Sequence, residues 1–353
     1  MSPRTGSVTR MRVLVAMSGG VDSSVAAALL VAQGHAVEGA TLKLWGGDSD
    51  SGCCSVADVD DARRVAQQLG IRHHVFNFGA EFDTHVVDTY VAAHAAGRTP
   101  NPCVECNRHL KFDRFAKRAE QLGFAAIATG HHARRVEVAP GKFAVARGAD
   151  PAKDQSYVVH MLDADLLARC LFPVGELTKI EVRDHARELG LRTADKAESM
   201  DVCFIAKTGG GRRTFLGERI LLRPAPVVGL DGREVGRVDA VELVTVGQRR
   251  GLGPIGAGEP RFVLAVDTAT PRVIVGSADD LLATEVRLTR VAPHGVVSGD
   301  VLVQCSAHGV PFAGRFDSET GIVHFGSPTR RVAPGQSVVL YRSDVVVCGG
   351  IAD

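Results

Sequence analysis

Rings are scarce in this chain: one tryptophan, three tyrosines and 5 % aromatic residues across 353 positions. That excludes a surface gripping single-stranded bases mainly by stacking, and leaves charge and shape to hold any RNA. Net charge is nearly absent too, +1 at pH 7 with histidine neutral. There is neither a polybasic coat nor an acidic tail, although a local basic face stays open. No apolar run approaches the ~20 residues a membrane helix needs. The first ten residues are polar and include Arg4 and Arg10 with no apolar core behind them, a ragged start rather than a secretory signal. A cytoplasmic chain without membrane contact is expected.

Apolar residues at 45 % and charged residues at 23 % are ordinary for a folded soluble protein, and the length suits two or three domains. Eight cysteines in a cytoplasmic chain do not read as a disulfide framework. Cys170 and Cys348 lie in apolar runs and read as core, and Cys305 lies in an expected strand. Cys53-Cys54 sits in a Gly/Ser/Asp loop without an arguable role.

From 11 to 130, short apolar runs alternate with helical spacing. Strands are expected at Met11–Val15, Val37–Trp45, His74–Phe78 and Ala125–Thr129. Helices are expected at Val25–Leu30, Val59–Leu69, Phe82–Ala96 and Leu110–Leu122, stopped by Gly34, Gly70 and Gly123. This alternation predicts an α/β domain with a parallel sheet, binding ligands beyond the carboxyl ends of its strands. A hairpin turning at Pro140-Gly141 follows, then helices over Tyr157–Leu167 and Lys179–Leu189. After Thr208-Gly209-Gly210-Gly211, short β runs between turns predict small sheets or a barrel. Boundaries near 207 and 276 divide the chain into 1–207, 208–276 and 277–353.

The most informative segment is Ala16-Met17-Ser18-Gly19-Gly20-Val21-Asp22-Ser23-Ser24. It joins a buried strand to a helix by a tight Ser-Gly-Gly turn. Glycines let backbone approach an anion, and the first helical N–H groups favour negative charge. No Gly-Lys-Ser/Thr follows, so this is not a Walker loop, nor is it G-x-G-x-x-G. It resembles the PP-loop of the ATP pyrophosphatases, which cleave ATP between the α and β phosphates and attach AMP to a carbonyl oxygen.

Asn101-Pro102-Cys103-Val104-Glu105-Cys106-Asn107 precedes the Leu110–Leu122 helix, so Cys106 is expected near a helix N-terminus, where a thiol's pKa falls from about 8.5. Cys203 lies far along the chain in Asp201-Val202-Cys203-Phe204-Ile205. A C-x-x-C with one remote cysteine is compatible with zinc, a redox pair or packed thiols.

Further ordered segments are Lys111-Phe112, Ala128-Thr129-Gly130-His131, Lys153-Asp154-Gln155-Ser156-Tyr157, Phe172-Pro173-Val174-Gly175 with Lys179 and Arg183, and Thr245-Val246-Gly247-Gln248-Arg249-Arg250-Gly251-Leu252. Together they resemble the bacterial tRNA-specific 2-thiouridylase (MnmA) family over essentially the whole chain. The resemblance implies a PP-loop domain (adenine nucleotide alpha hydrolase-like), a small central domain that contacts tRNA and a C-terminal β-barrel. It implies that ATP, with Mg²⁺, adenylates O2 of the wobble uridine in tRNAs for Lys, Glu and Gln before sulfur replaces that oxygen. Ala16, Met17, Ser18, Gly19, Gly20, Val21, Asp22, Ser23, Leu42 and Gly130 would hold the nucleotide. Asn101, Pro102, Cys103, Lys153, Asp154 and Gln155 would touch tRNA, the anticodon base having left its stack. Cys203 would carry a persulfide and Cys106 act as nucleophile, ending in a disulfide that must be reduced. Asp22 joins them as a catalytic residue. A cysteine desulfurase, directly or through a carrier, would supply sulfur.

Three departures limit this reading. Many relatives carry Asp where this chain has Cys103. An iron–sulfur cluster on Cys103, Cys106 and Cys203 is therefore an alternative to the persulfide, as is structural zinc. Gly236-Arg237-Val238-Asp239 lacks the family's His between glycines, and Gln304-Cys305-Ser306 lacks an Arg-Tyr-Arg type segment, so no RNA contact is assigned to the barrel. Residues 205–262 hold ten Lys/Arg against six Asp/Glu, which suits either phosphate contact or a solvated face. His73-His74 and His131-His132 read as packing or polar-loop residues, with His131 close to the nucleotide. Another PP-loop adenylating enzyme, such as an amidotransferase or lysidine-forming type, would not need Cys106 and Cys203. A non-catalytic tRNA-binding or sulfur-relay protein would not need an intact PP-loop.

Overall fold

The computed structural model describes residues 10–44, 55–197, 202–205, 211–253, 260–293 and 298–353. Trp45, the Cys53-Cys54 pair, the residues 198–201 before Val202 and the 208–210 glycine stretch lie outside them. The chain packs as two compact units: residues up to His85 with Glu105–Phe204, and Val86–Val104 with Ile205–Asp353.

The first unit is built on β1 (Arg12–Ala16), β2 (Ala36–Lys43), β3 (His73–Asn77), β4 (Ala126–Ala128) and the short β7 (Cys170–Leu171), in the order β3-β2-β1-β4-β7. All four pairings are parallel. β1 is apolar throughout its middle because both faces are covered; Val13, Leu14 and Val15 are fully buried. Helices α1 (Val21–Ala32) and α2 (Val56–Gln68) follow β1 and β2. Ser55 and Asp58 form a capping box that starts α2. Chain order reverses beside β1, since β2 lies on one side and β4 on the other. That places the β1–α1 and post-β4 loops together at the carboxyl edge, where a crevice opens.

β5 (Ala133–Ala139) and β6 (Lys142–Arg147) form the expected hairpin. The expected helix Tyr157–Leu167 is instead a single 3₁₀ turn, Ser156–Val159, and a short helix, Ala164–Ala168. Asp163 breaks the run by capping the second piece, its carboxylate accepting from Leu166 N at 2.8 Å. The helical run expected from Leu110 starts eight residues earlier, at Pro102. Pro suits a first helical position, and Asn101 Oδ1 accepts from Cys103 N at 3.1 Å as the cap.

In the second unit, β8 (Ala225–Val228), β9 (Glu234–Val238), β10 (Phe262–Asp267) and β11 (Arg272–Gly276) form one sheet in the order β10-β11-β8-β9. β12 (Leu282–Pro293), β13 (Gly299–Gln304), β14 (Phe312–Asp317), β15 (Ile322–Arg330), β16 (Ser337–Arg342) and β17 (Val345–Ala352) form an antiparallel barrel that closes where β17 pairs with β12. Its alternating inward residues, such as Val303, Phe316, Val323 and Leu340, make the core. Cys348 is buried there and Cys305 packs at its margin, as their apolar settings imply. Burial pushes both thiols up, to about 11 and about 12, and Cys170 to about 12 despite nearby Arg135. All three are poor nucleophiles at neutral pH. Among the described residues no helix is long and apolar enough to cross a membrane.

Candidate active site

The turn after β1 is held by its own serines. Ser23 Oγ accepts from Ser18 N at 3.2 Å and donates to Gly20 O at 3.1 Å, and Ser24 Oγ donates to the same carbonyl at 2.8 Å. Gly20 begins α1 with no side-chain cap, which leaves the first amides of a twelve-residue helix for an incoming anion. Gly19 adopts φ +73°, and a Cβ there would lie 2.2 Å from Asp58 O, so α2 abuts the turn. Gly130 is equally constrained: a Cβ would meet Ser23 N at 2.5 Å. These glycines allow three backbone segments to converge.

A cavity of about 260 Å³ opens at this point. Ala16, Met17, Ser18, Gly20, Val21, Asp22, Ser23, Leu42 and Gly130 line it, as do Lys153 and Gln155. Gly19 shapes the turn without lining the cavity. Four lysines (111, 153, 179 and 196) face two carboxylates, Asp22 and Asp58, so the wall is net positive. Leu42, Leu44 and Met17 add an apolar side.

Asp22 is the electrostatic centre. Lys179 Nζ lies 2.6 and 2.8 Å from its two oxygens, and His132 Nε2 lies 3.1 Å from Oδ1. Burial alone would raise this carboxyl, but the hydrogen bonds and charges of His132 and Lys179 outweigh it and hold the group below the ordinary carboxylate range. Asp22 is thus ionised and accepts from both partners. His131 is buried beside Phe112 and Phe172, its Nδ1 2.7 Å from Thr129 Oγ1. Burial, with help from Lys111 and His132, pushes it down to about 3, so it is neutral at pH 7.

Lys179, Lys196 and Asp58 were not singled out as functional from the sequence. Lys179 carries a signal in hindsight: it occupies the first position of the helix Lys179–Glu188, inside a Thr178–Glu181 capping box. A cation there opposes the helix dipole, and such a residue needs a reason; Asp22 is that reason.

Gln155 is locked to His132, its Oε1 accepting from His132 N at 2.9 Å and its N donating to His132 O at 2.9 Å. Asp154 does not line the cavity. Its carboxylate accepts from Arg147 Nη1 (2.9 Å), Gly148 N (3.0 Å), Ser156 N (3.0 Å) and Ser156 Oγ (2.9 Å), so it organises the loop that presents Lys153 and Gln155. Asn101, Pro102 and Cys103 belong to the second unit, whereas Cys106 and Cys203 belong to the first. None of these cysteines is among the described residues lining the cavity. Cys106 is the fifth residue of its helix rather than close to an N-terminus, because the helix starts at Pro102; it is 8 % exposed. Cys203 is half-buried and follows Val202 at φ +52°, a conformation that strains a β-branched residue and often marks functional turns.

Family models match nearly the whole chain: a tRNA methyl transferase HUP domain over residues 11–207, a tRNA methyl transferase PRC-barrel domain over 213–277 and an aminomethyltransferase beta-barrel domain over 279–352. The tRNA-specific 2-thiouridylase MnmA of Chloroflexus aurantiacus is 45 % identical over 352 residues, covering 96 % of this chain and 97 % of its own. The chain belongs to the tRNA-specific 2-thiouridylase family. The Roseiflexus castenholzii enzyme of the same name is 45 % identical with 96 % and 98 % coverage, and that of Mycolicibacterium gilvum is 45 % identical with 95 % and 96 % coverage. Membership accounts for the α/β unit, the central domain and the barrel.

Proposed function

We propose that this chain is an ATP-dependent tRNA 2-thiouridine sulfurtransferase. The observation that carries the reading is the uncapped start of α1 facing a lysine-rich cavity in which Lys179 grips Asp22. ATP enters as its Mg²⁺ complex. The α1 amides and the Ser18–Ser23 turn take the phosphates, Lys111 and Lys179 neutralise charge developing as pyrophosphate departs, and the Leu42 side receives the adenosine. AMP is transferred to O2 of the wobble uridine in tRNAs for Lys, Glu and Gln, which turns a poor leaving group into a good one. The terminal sulfur of a Cys203 persulfide then bonds to C2 and AMP leaves with the old base oxygen. Cys106 thiolate attacks the inner sulfur of Cys203, the persulfide S–S bond breaks toward the base, and the Cys106–Cys203 disulfide is reduced by an external thiol. Lys153, Gln155, Asn101 and Pro102 serve the RNA, with Asp154 holding its loop. A cysteine desulfurase, directly or through a carrier, loads Cys203.

The cluster alternative needs three thiolates assembled as donors, and among the described residues no three His, Cys, Asp or Glu side chains are grouped to hold a metal. Iron content and the visible spectrum after anaerobic purification separate the two routes. The function is tested by mass spectrometry of tRNA nucleosides after incubation with ATP, cysteine and a desulfurase: 2-thiouridine is expected, and its absence with active desulfurase contradicts the reading. Pyrophosphate release stimulated by tRNA separates an enzyme from a passive tRNA binder.

A further inference from the structure

Lys196 ties the rim of the cavity to the helix beside it. Its Nζ lies 3.0 Å from Gly19 O in the PP-loop turn and 2.7 Å from both Asp58 Oδ1 and Asp61 Oδ2 on α2. Arg192 adds a second cation on Asp61 at 3.0 Å. The backbone around Lys196 is fixed from the other side, since Arg183 donates to the carbonyls of Ala194 and Lys196. Arg183 sits on the helix whose first residue, Lys179, grips Asp22. Both anchors therefore end at the phosphate-binding turn. Cys203 follows Lys196 by seven residues, a tether that reaches no more than about 25 Å even when fully extended.

We infer that Lys196 is a positioning residue coupling the two halves of the reaction: it fixes the base of the Cys203 arm to the PP-loop, so that a persulfide is within reach when the adenylate forms. The inference rests on the sulfurtransferase reading above. Its chemical content is a competition. An adenylated uridine that sulfur does not meet in time is attacked by water. Water's oxygen bonds to C2, the C2–O bond to AMP breaks, AMP leaves with the former base oxygen, and uridine is restored with release of a proton. Such a turnover consumes ATP and yields no thiolated base. Holding the thiol arm raises its effective concentration over that of water.

The test counts AMP and 2-thiouridine formed by the full chain at saturating ATP, with tRNA, cysteine and a desulfurase. Wild type is expected to give nearly one AMP per 2-thiouridine. Lys196→Met is expected to raise that ratio at least about fivefold, because sulfur then reaches each adenylate that does form later than water does. Lys196→Arg, whose fork can span both carboxylates, is expected to bring most of the coupling back. Asp61→Asn, which leaves the lysine and the α2 cap in place, is expected to shift the ratio in the same direction by less, and it covers the case in which Lys196→Met does not fold. A ratio unchanged in Lys196→Met and Asp61→Asn, with both products falling together, overturns the inference while leaving the sulfurtransferase reading intact. If wild type forms AMP with tRNA but no 2-thiouridine, that reading fails and the inference with it.

Discussion

Around the PP-loop, Asp22, Lys179, His131 and His132 are largely withdrawn from solvent and tied to one another or to a neighbouring hydroxyl. In the barrel the withdrawn residues are Val303, Phe316, Val323, Val338 and Leu340, and the Arg315–Asp300 ion pair and the His324–Glu285 contact stand in solvent. Burying charge is costly and persists where something needs it, whereas a closed sheet needs only an apolar lining. The first region is built to meet a ligand, and the second is built to be stable.

The sharpest way to break that contrast is through the thiols. Cys203→Ser and Cys106→Ser are each expected to abolish 2-thiouridine while tRNA binding persists, as measured by nucleoside mass spectrometry beside filter binding; normal product from either removes its assigned role. Asp22→Ala is expected next, with a loss of at least about 100-fold in tRNA-dependent pyrophosphate release, since Lys179 and His132 lose their anchor within the site. Circular dichroism should show the fold intact. Phe316→Ala tests the other region. It is expected to cost about 3–5 kcal/mol in denaturant unfolding by opening a barrel cavity, with turnover per folded molecule unchanged.

Much of this was legible beforehand, for reasons that differ by element. β1, α1 and β4 announce themselves through unbroken apolar runs and glycine stops, and the Ser-Gly-Gly turn through its residues. The break at Asp163 was hidden because its capping acts locally against a plausible apolar period. The true helix start at Pro102 was hidden because Cys103 and Cys106 drew attention to chemistry rather than to Asn-Pro as a cap. Lys196, Asp58 and Lys179 come from separate segments, and only folding shows that they share one cavity wall with Asp22.

A further expected effect concerns acid. His131 and His94 are buried and held down at about 3 and about 4, mainly by burial. Unfolding frees them to bind protons near pH 6.5, so the unfolded state holds more protons below that pH. Stability is therefore full above about pH 6.5 and falls as pH drops toward 4, by at most about 1.4 kcal/mol per pH unit for each histidine. A thermal midpoint flat from pH 7 to 4.5 would contradict their burial in the neutral form.

The central claim is that the base oxygen itself is activated and carried away. A tRNA bearing ¹⁸O at O2 of the wobble uridine, incubated with the protein, unlabelled ATP and a sulfur source, tests this most directly. The account predicts that the AMP released carries the ¹⁸O. AMP with no ¹⁸O alongside newly formed 2-thiouridine would contradict it.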